Sequence, residues 1–136
     1  MKFYNPVQII NHKGARSRLY DVCKKETLVI CTETALERLK LDAQMTQFLG
    51  LPGLLFEHTF SSNPSLADMS KISEKYASSE INAVVGLGGG STLDVAKIVA
   101  VSVPAFRNGL TLRNLLDDSS LLNNVDPLNC YLVPTT

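Results

Sequence analysis

The sequence predicts an α/β domain built on a mostly parallel sheet with helices on both faces, and two observations carry that prediction. First, short apolar runs alternate with longer amphipathic stretches, which is the pattern of strands joined by crossover helices. Second, the run TLVIC at residues 27–31 is apolar, rich in β-branched residues and short, as expected of a strand buried on both faces. Right-handed crossovers would place helices on both sides of such a sheet.

The chain divides into alternating strands and helices. The predicted strands are residues 7–10, 27–31, 54–59, 83–87 and 129–133. The predicted helical stretches are residues 15–24, residues 34–49, a stretch opening at Ser65, residues 91 to about 103, and residues 111–117. Asp42 is a candidate internal cap within the second stretch. Ser65 and Asp68 are spaced as a capping box at the start of the third.

Composition restricts the class of protein. The length of 136 residues is that of one domain, so we assign residues 1–136 to a single domain. A hydrophobic content of 45% excludes disorder as the main state. The 13 basic residues balance the 13 acidic ones, which argues against nucleic acid as a partner. The longest apolar stretch, near residues 98–106, is far shorter than the ~20 residues of a membrane span.

Cysteine and histidine usage bears on compartment and metal binding. Cys23, Cys31 and Cys130 are odd in number and widely spaced, which argues against a disulfide framework and favours a reducing cytoplasm. His12 and His58 each lack a second ligand at metal spacing. We therefore expect no metal site built from this chain alone.

A run of glycines joins the fourth predicted strand to the helix that follows it. Gly88, Gly89 and Gly90 precede Ser91 in the segment AVVGLGGGSTLDVAK. Glycine permits positive φ and lets another group approach the backbone closely. The N–H groups that open the next helix carry partial positive charge. The segment is therefore a candidate site for a phosphate or pyrophosphate.

A purely structural interpretation of the same segment stays open. Ser91 and Asp94 form an S-x-x-D capping box, and Asp94 could pair with Lys97 on one helix face. The Walker motif is absent because Gly-Lys-Ser/Thr does not occur here. The GxGxxG fingerprint is also incomplete, since Ser91 stands in the place of its last glycine.

Two further polar residues follow predicted strands on the same expected edge of the sheet. Glu33 comes after residues 27–31, where a carboxylate can accept both ribose hydroxyls and repel the 2′-phosphate of NADP. Its alternative role is to stabilise the first turn of the next helix. Asn63 lies in the loop NPS after residues 54–59, which is otherwise a turn before a helix.

Taken together, these segments resemble the iron-containing (group III) alcohol dehydrogenase family. The specific match is GGGSTLDVAK at residues 88–97, which resembles that family's GGGS-x-x-D-x-A-K signature. Weaker matches occur in the family's order. They are FYNP at residues 3–6, TETAL at 32–36, NPS at 63–65, and VPTT at 133–136, which resembles the opening of P-T-T-x-G-T-G-S-E.

The resemblance implies a set of cofactor-binding residues. Gly88, Gly89, Gly90 and Ser91 would lie at the pyrophosphate, and Glu33 at the ribose, where the family more often has Asp. The resemblance further assigns to the cofactor Asn63, Asp94, Thr135 and Thr136. The expected cofactor is NAD, with NADP less favoured because of Glu33.

The resemblance also implies a function for the protein of which this domain is part. It would be the N-terminal, Rossmann-like nucleotide-binding domain of an alcohol dehydrogenase that interconverts a small alcohol and an aldehyde or ketone. In the family an Asp and three His of a second, helical domain hold Fe²⁺ or Zn²⁺. We expect those ligands, and any catalytic residue, to be absent from this chain. The chain alone would then bind NAD weakly or not at all and oxidise no alcohol.

Other interpretations of the function remain open. The chain could be a stand-alone nucleotide-binding module without catalysis. It could also belong to a glycerol dehydrogenase or dehydroquinate synthase relative, although Ser91, where some polyol relatives carry Lys, favours the alcohol group. Apolar surface left by a missing second domain would favour a homo-oligomer.

Overall fold

A parallel sheet runs through the centre of the chain. The computed structural model describes residues 7–8, 14–23 and 26–135, with only the backbone of residues 7 and 8. Within these residues, the strands are β1 (Val7–Gln8), β2 (Thr27–Cys31), β3 (Leu54–Glu57), β4 (Ala83–Gly88) and β5 (Asn129–Pro134). Their order across the sheet is β1-β5-β4-β2-β3, and every neighbouring pair is parallel.

Helices connect the strands. They are α1 (Arg18–Val22), α2 (Glu33–Leu39), α3 (Thr46–Leu49), α4 (Leu66–Ala77), α5 (Gly90–Arg107) and α6 (Leu112–Asp117). Short 3-10 turns occupy Ala15–Ser17, Ala43–Met45 and Ser119–Asn124. In the part of the chain that the structure describes, no helix has both the length and the apolarity needed to cross a bilayer.

Both faces of the sheet are buried. Along β2, Leu28 and Ile30 pack in one apolar cluster with α4 and α5. The alternate residues Val29 and Cys31 pack in a second cluster on the other face. A strand covered on both sides must be apolar throughout, which is why its sequence shows a continuous apolar run.

Connections after two neighbouring strands leave the sheet in opposite directions. β2 and β4 are paired side by side. Leu39 of α2, which follows β2, belongs to one apolar cluster, whereas Val95 and Val99 of α5, which follows β4, belong to the other. The carboxyl ends of β2 and β4 therefore flank a crevice, the usual position of a ligand in an open α/β sheet.

Close packing of α5 against β4 depends on Gly86. A Cβ atom at Gly86 would lie only 2.8 Å from the Cβ of Ala96. A side chain there would push the helix away from the strand and displace the loop that joins them.

The structure confirms the predicted α/β architecture with local differences. Residues 34–49 form three short pieces because Asp42 accepts a hydrogen bond from the Gln44 N–H at 2.9 Å and starts a new turn. Residues 9, 10 and 24, at the ends of predicted elements, lie outside the described residues. The assignment of residues 1–136 to a single domain stays a prediction.

The longest helix extends beyond its predicted end because Pro104 is accommodated inside it. Proline has no N–H to offer the Ala100 carbonyl four residues earlier. The N–H of Leu128 donates to that carbonyl at 2.8 Å instead. The prediction that the helix ends near residue 103 was therefore wrong.

Candidate functional site

A cleft of about 270 Å³ opens at the carboxyl ends of β2 and β4. Residues from four parts of the chain line it. The glycine turn contributes Gly88, Gly89 and Thr92, and α2 with its N-cap contributes Thr32, Thr34, Ala35 and Arg38. Arg16, Leu39, Asp42 and Thr135 complete the lining. The cleft thus lies in the crevice that the topology creates.

Glycine is required at the base of this cleft. Gly88 has φ of +155°, and a Cβ there would lie 3.0 Å from the Thr92 side chain. By contrast, a Cβ added at Gly89 or Gly90 would meet no protein atom within 4 Å. The backbone of these two residues therefore borders open space, which suits close approach by a ligand phosphate.

The N-terminus of α5 has no side-chain cap. Gly89 is its N-cap residue and no side chain bonds the free N–H groups of its first turn. Three other helices, α2, α4 and α6, are capped by Thr32, Ser65 and Thr111. At α5 the N-cap Gly89 and the third helical residue Thr92 line the cleft, so an anion bound there could satisfy the free donors of the first turn.

The predicted capping role of Ser91 is wrong. Because Gly89 takes the extended backbone of an N-cap, α5 begins at Gly90 and Ser91 is its second residue. Ser91 is exposed, and its hydroxyl makes no hydrogen bond within the described residues. The second part of that interpretation is confirmed, since Lys97 Nζ lies 3.7 Å from Asp94 Oδ1.

Thr135 is brought to the glycine turn by the sheet. Its N–H donates to the Gly88 carbonyl at 3.1 Å, next to the paired residues Gly88 and Pro134. The structure therefore places Thr135 in the cleft with the glycines. Thr136, which the sequence also assigns to the cofactor, lies outside the described residues.

One face of α2 lines the cleft. Thr34 and Arg38, four residues apart, lie on that face. Glu33 is exposed and is not part of the cleft lining. The ribose contact assigned to Glu33 stays a prediction.

Arg16 forms hydrogen bonds to two other segments of the chain at one side of the cleft. Its Nη1 donates to Asp42 Oδ2 at 2.5 Å and its Nη2 donates to the Pro134 carbonyl at 3.3 Å. Hydrogen bonds from the Gln44 N–H and from Arg16 hold the pKa of Asp42 below its ordinary value. Asp42 is therefore ionised at neutral pH, and its charge balances that of Arg16.

Asn63 and Asp94, like Glu33, Gly90 and Ser91, are predicted site residues that are not among the residues lining this cleft. Asn63 is exposed in the loop between β3 and α4, on the carboxyl side of the sheet. Asp94 is exposed on α5 and paired with Lys97. Neither lines the cleft, so their contacts with a cofactor remain predictions.

Sequence reasoning missed Arg16, Thr34, Arg38 and Asp42 as cleft residues. A signal for Arg38 was present in the sequence, because Arg38 lies four residues after Thr34 and both therefore lie on one face of α2. No local pattern pointed to Arg16, whose partners are 26 and 118 residues away.

The described residues contain no metal-binding donor set. Groups of three or more His, Cys, Asp or Glu that could hold an ion are absent among them. All three cysteines are buried free thiols, and burial raises the pKa of Cys31 and Cys130 to about 11. The His58 Nδ1 lies 2.7 Å from the Cys31 carbonyl. The described residues therefore do not form a site for Fe²⁺ or Zn²⁺.

The parallel sheet, its switch-point crevice and its glycine turn define a Rossmann-like α/β domain. Residues 6–136 match the family model for iron-containing alcohol dehydrogenases, so the chain belongs to the iron-containing alcohol dehydrogenase family. The predicted resemblance, including its assignment to the family's N-terminal domain, is thereby confirmed. No curated protein sequence shows significant similarity to the chain.

Solved structures share this fold. An iron-containing alcohol dehydrogenase from Thermotoga maritima is 26% identical, with a TM-score of 0.75, and the match covers 99% of this chain and 38% of that one. The NADH-dependent butanol dehydrogenase A of the same organism is 21% identical, with a TM-score of 0.67, and the match covers 99% and 34%. A sulfoacetaldehyde reductase from Bifidobacterium kashiwanohense, solved with NAD⁺, is 17% identical, with a TM-score of 0.73, and the match covers 99% and 36%. The chain therefore spans little more than a third of the length of these proteins.

Proposed function

We propose that the chain is the cofactor-binding domain of a metal-dependent, NAD(P)-linked alcohol dehydrogenase. The whole protein would interconvert a small alcohol and an aldehyde or ketone by hydride transfer. The observation that carries the proposal is the uncapped N-terminus of α5, which opens from the glycine turn into the crevice between β2 and β4. Related structures named for NADH dependence or solved with NAD⁺ support the choice of cofactor.

Each part of the cleft then has a defined task. The N–H groups at the start of α5, together with the Ser91 hydroxyl, donate to the pyrophosphate. Open space above Gly89 and Gly90 admits the phosphate oxygens. Thr135, held by the Gly88 carbonyl, borders the same phosphates. When bound, the dinucleotide supplies the hydride acceptor and donor.

We propose that the ligands of the family's metal ion are not among the residues that the structure describes. Fe²⁺ or Zn²⁺ would polarise the alcohol oxygen in the whole enzyme. We propose that the 136-residue chain by itself binds dinucleotide weakly and turns over no alcohol. The three free, buried thiols are consistent with the proposed cytoplasmic location.

A substitution at Gly89 separates cofactor binding from folding. Gly89 has φ of −84° and ψ of −173°, the backbone that an N-cap aspartate prefers. We expect Gly89→Asp to leave the melting temperature unchanged or slightly higher, because the new carboxylate caps α5. The same carboxylate fills the phosphate space, so the affinity for dinucleotide should fall at least about tenfold, or ~1.4 kcal/mol.

The measurement is a calorimetric titration of NAD⁺ and NADP⁺ into the wild type, Gly89→Asp and the control Gly50→Ala. Gly50 also has negative φ, and a Cβ there would meet only an ordinary contact of 3.4 Å. Unchanged dinucleotide affinity in Gly89→Asp would contradict the proposed pyrophosphate site.

A further inference from the structure

The charge that faces the β2 side of the cleft is positive. Two guanidinium groups, Arg16 and Arg38, and one carboxylate, Asp42, belong to its lining. Asp42 is held by Arg16 at 2.5 Å. Within the described residues, Arg38 has no ion pair or hydrogen bond from its side chain. One guanidinium therefore remains available to a ligand.

Helical geometry separates Arg38 from Glu33, the acid at the first position of the same helix. Thr34, Ala35 and Arg38 lie on the cleft face of α2, whereas Glu33 is exposed outside the lining. The Thr34 hydroxyl also makes no hydrogen bond within the described residues. A free hydroxyl and a free guanidinium thus stand one helical turn apart on the same face.

Position in the fold connects this pair to the ribose. β2 and β4 are adjacent, so a dinucleotide whose pyrophosphate lies on the β4 turn extends its adenosine ribose toward the end of β2. In folds of this kind, an acid at that place favours the free 2′-hydroxyl of NAD, and a nearby arginine accommodates the 2′-phosphate of NADP. Guanidinium is well matched to phosphate because it donates in a planar fork.

We propose that Arg38, supported by Thr34, is a specificity-determining residue that makes this cleft favour a dinucleotide with a phosphate on its adenosine ribose. The inference rests on the proposed cofactor function and reverses the preference for NAD expected from Glu33. Arg38 contacts the bound cofactor but takes no part in hydride transfer.

The test compares the affinities for NADP⁺ and NAD⁺ in matched variants of the chain. One charge-assisted contact at an exposed site is expected to give the wild type about a tenfold preference for NADP⁺. Arg38→Gln should bring that ratio close to one while the affinity for NAD⁺ changes little. Arg113→Gln is the control, because Arg113 is exposed on α6 and does not line the cleft; its ratio should equal that of the wild type.

Glu33→Gln distinguishes the two candidate determinants. An unchanged ratio in this variant supports Arg38. A wild type that prefers NAD⁺, or a ratio that rises on removal of Glu33 and is insensitive to Arg38→Gln, overturns the inference but leaves the cofactor function intact. Binding of neither dinucleotide at millimolar concentration overturns the cofactor function and, with it, the role of Arg38.

Discussion

Glu57 shows at the scale of one residue how this fold accommodates a buried charge. Its side chain is only 2% exposed at the end of β3. The carboxylate accepts hydrogen bonds from Tyr76 Oη at 2.8 Å, from Lys75 Nζ at 3.2 Å and from the Thr59 N–H and hydroxyl. Burial alone raises the pKa of Glu57, but these donors outweigh it and lower the pKa to about 2.

Glu57 should therefore make stability dependent on pH. A carboxylate whose pKa falls from 4.5 to about 2 on folding stabilises the native state fully above pH 4.5, and that stabilisation is lost as the pH falls toward 2. We expect Glu57→Gln to be less stable than the wild type at pH 7 by about 2 kcal/mol. The difference should shrink steadily between pH 4.5 and pH 2, as measured by urea unfolding.

Glu37→Gln serves as the control for that measurement, since Glu37 forms only an exposed pair with Lys40. A constant difference between Glu57→Gln and the wild type across this pH range would show that folding does not lower the pKa of this carboxylate.

At the scale of elements, the end of α5 fixes the end of α4. Arg107 donates through Nε to the Ala77 carbonyl at 3.0 Å and through Nη2 to the Ser79 and Ile81 carbonyls at 2.7 and 3.0 Å. These carbonyls belong to the last residue of α4 and to the loop that enters β4. The clamp thus helps to set the position of the strand that carries the glycine turn.

Removal of this clamp should weaken the domain. We expect Arg107→Met to lower the free energy of unfolding by about 1 kcal/mol, because three carbonyls lose a charged donor at a mainly exposed site. Lysine cannot bond all three carbonyls in the same geometry, so Arg107→Lys should recover only part of the loss. Full stability of Arg107→Met in chemical denaturation, relative to Arg113→Met, would contradict the role of the clamp.

The positions of strands and helices were predictable from the sequence where residues close together in the chain determine them. Thr27–Cys31 forms the strand that its continuous apolar run predicts, and Ser65 and Asp68 form the expected capping box. The predicted start of α5 was wrong because Gly89 is the N-cap residue. Its backbone conformation decides this, and no sequence pattern indicates that conformation. The predicted end of α5 was also wrong. The N–H of Leu128, far along the chain, donates to the Ala100 carbonyl that Pro104 cannot bond, so the helix continues past the proline.

The candidate site was predictable only in part for a similar reason. The glycine turn and Thr135 were recognised from short segments, and both line the cleft. Arg16 enters the cleft through contacts with Asp42 and Pro134 that depend on the whole topology. Arg38 and Glu33 were separated only by the rotation of α2, which decides the face on which each residue lies.

At the scale of the whole molecule, two surfaces of different character flank the glycine-turn helix. The polar cleft lies on the β2 side. An apolar groove of about 490 Å³ lies between α4, α5 and α6, where Ile98 and Leu116 are exposed. A charged dinucleotide should select the first surface, since only there do open helix N–H groups, glycine backbone and an available guanidinium come together.

Chemical-shift mapping of backbone amides during titration with NADP⁺, with NAD⁺ in parallel, tests where the cofactor binds. We expect the largest shifts at residues 88–93, at Thr34 and Arg38 of α2, and at Thr135, and we expect no shifts at Leu115 and Leu116 in the apolar groove. Shifts confined to the apolar groove, or no shifts at millimolar dinucleotide, would contradict the placement of the cofactor between β2 and β4.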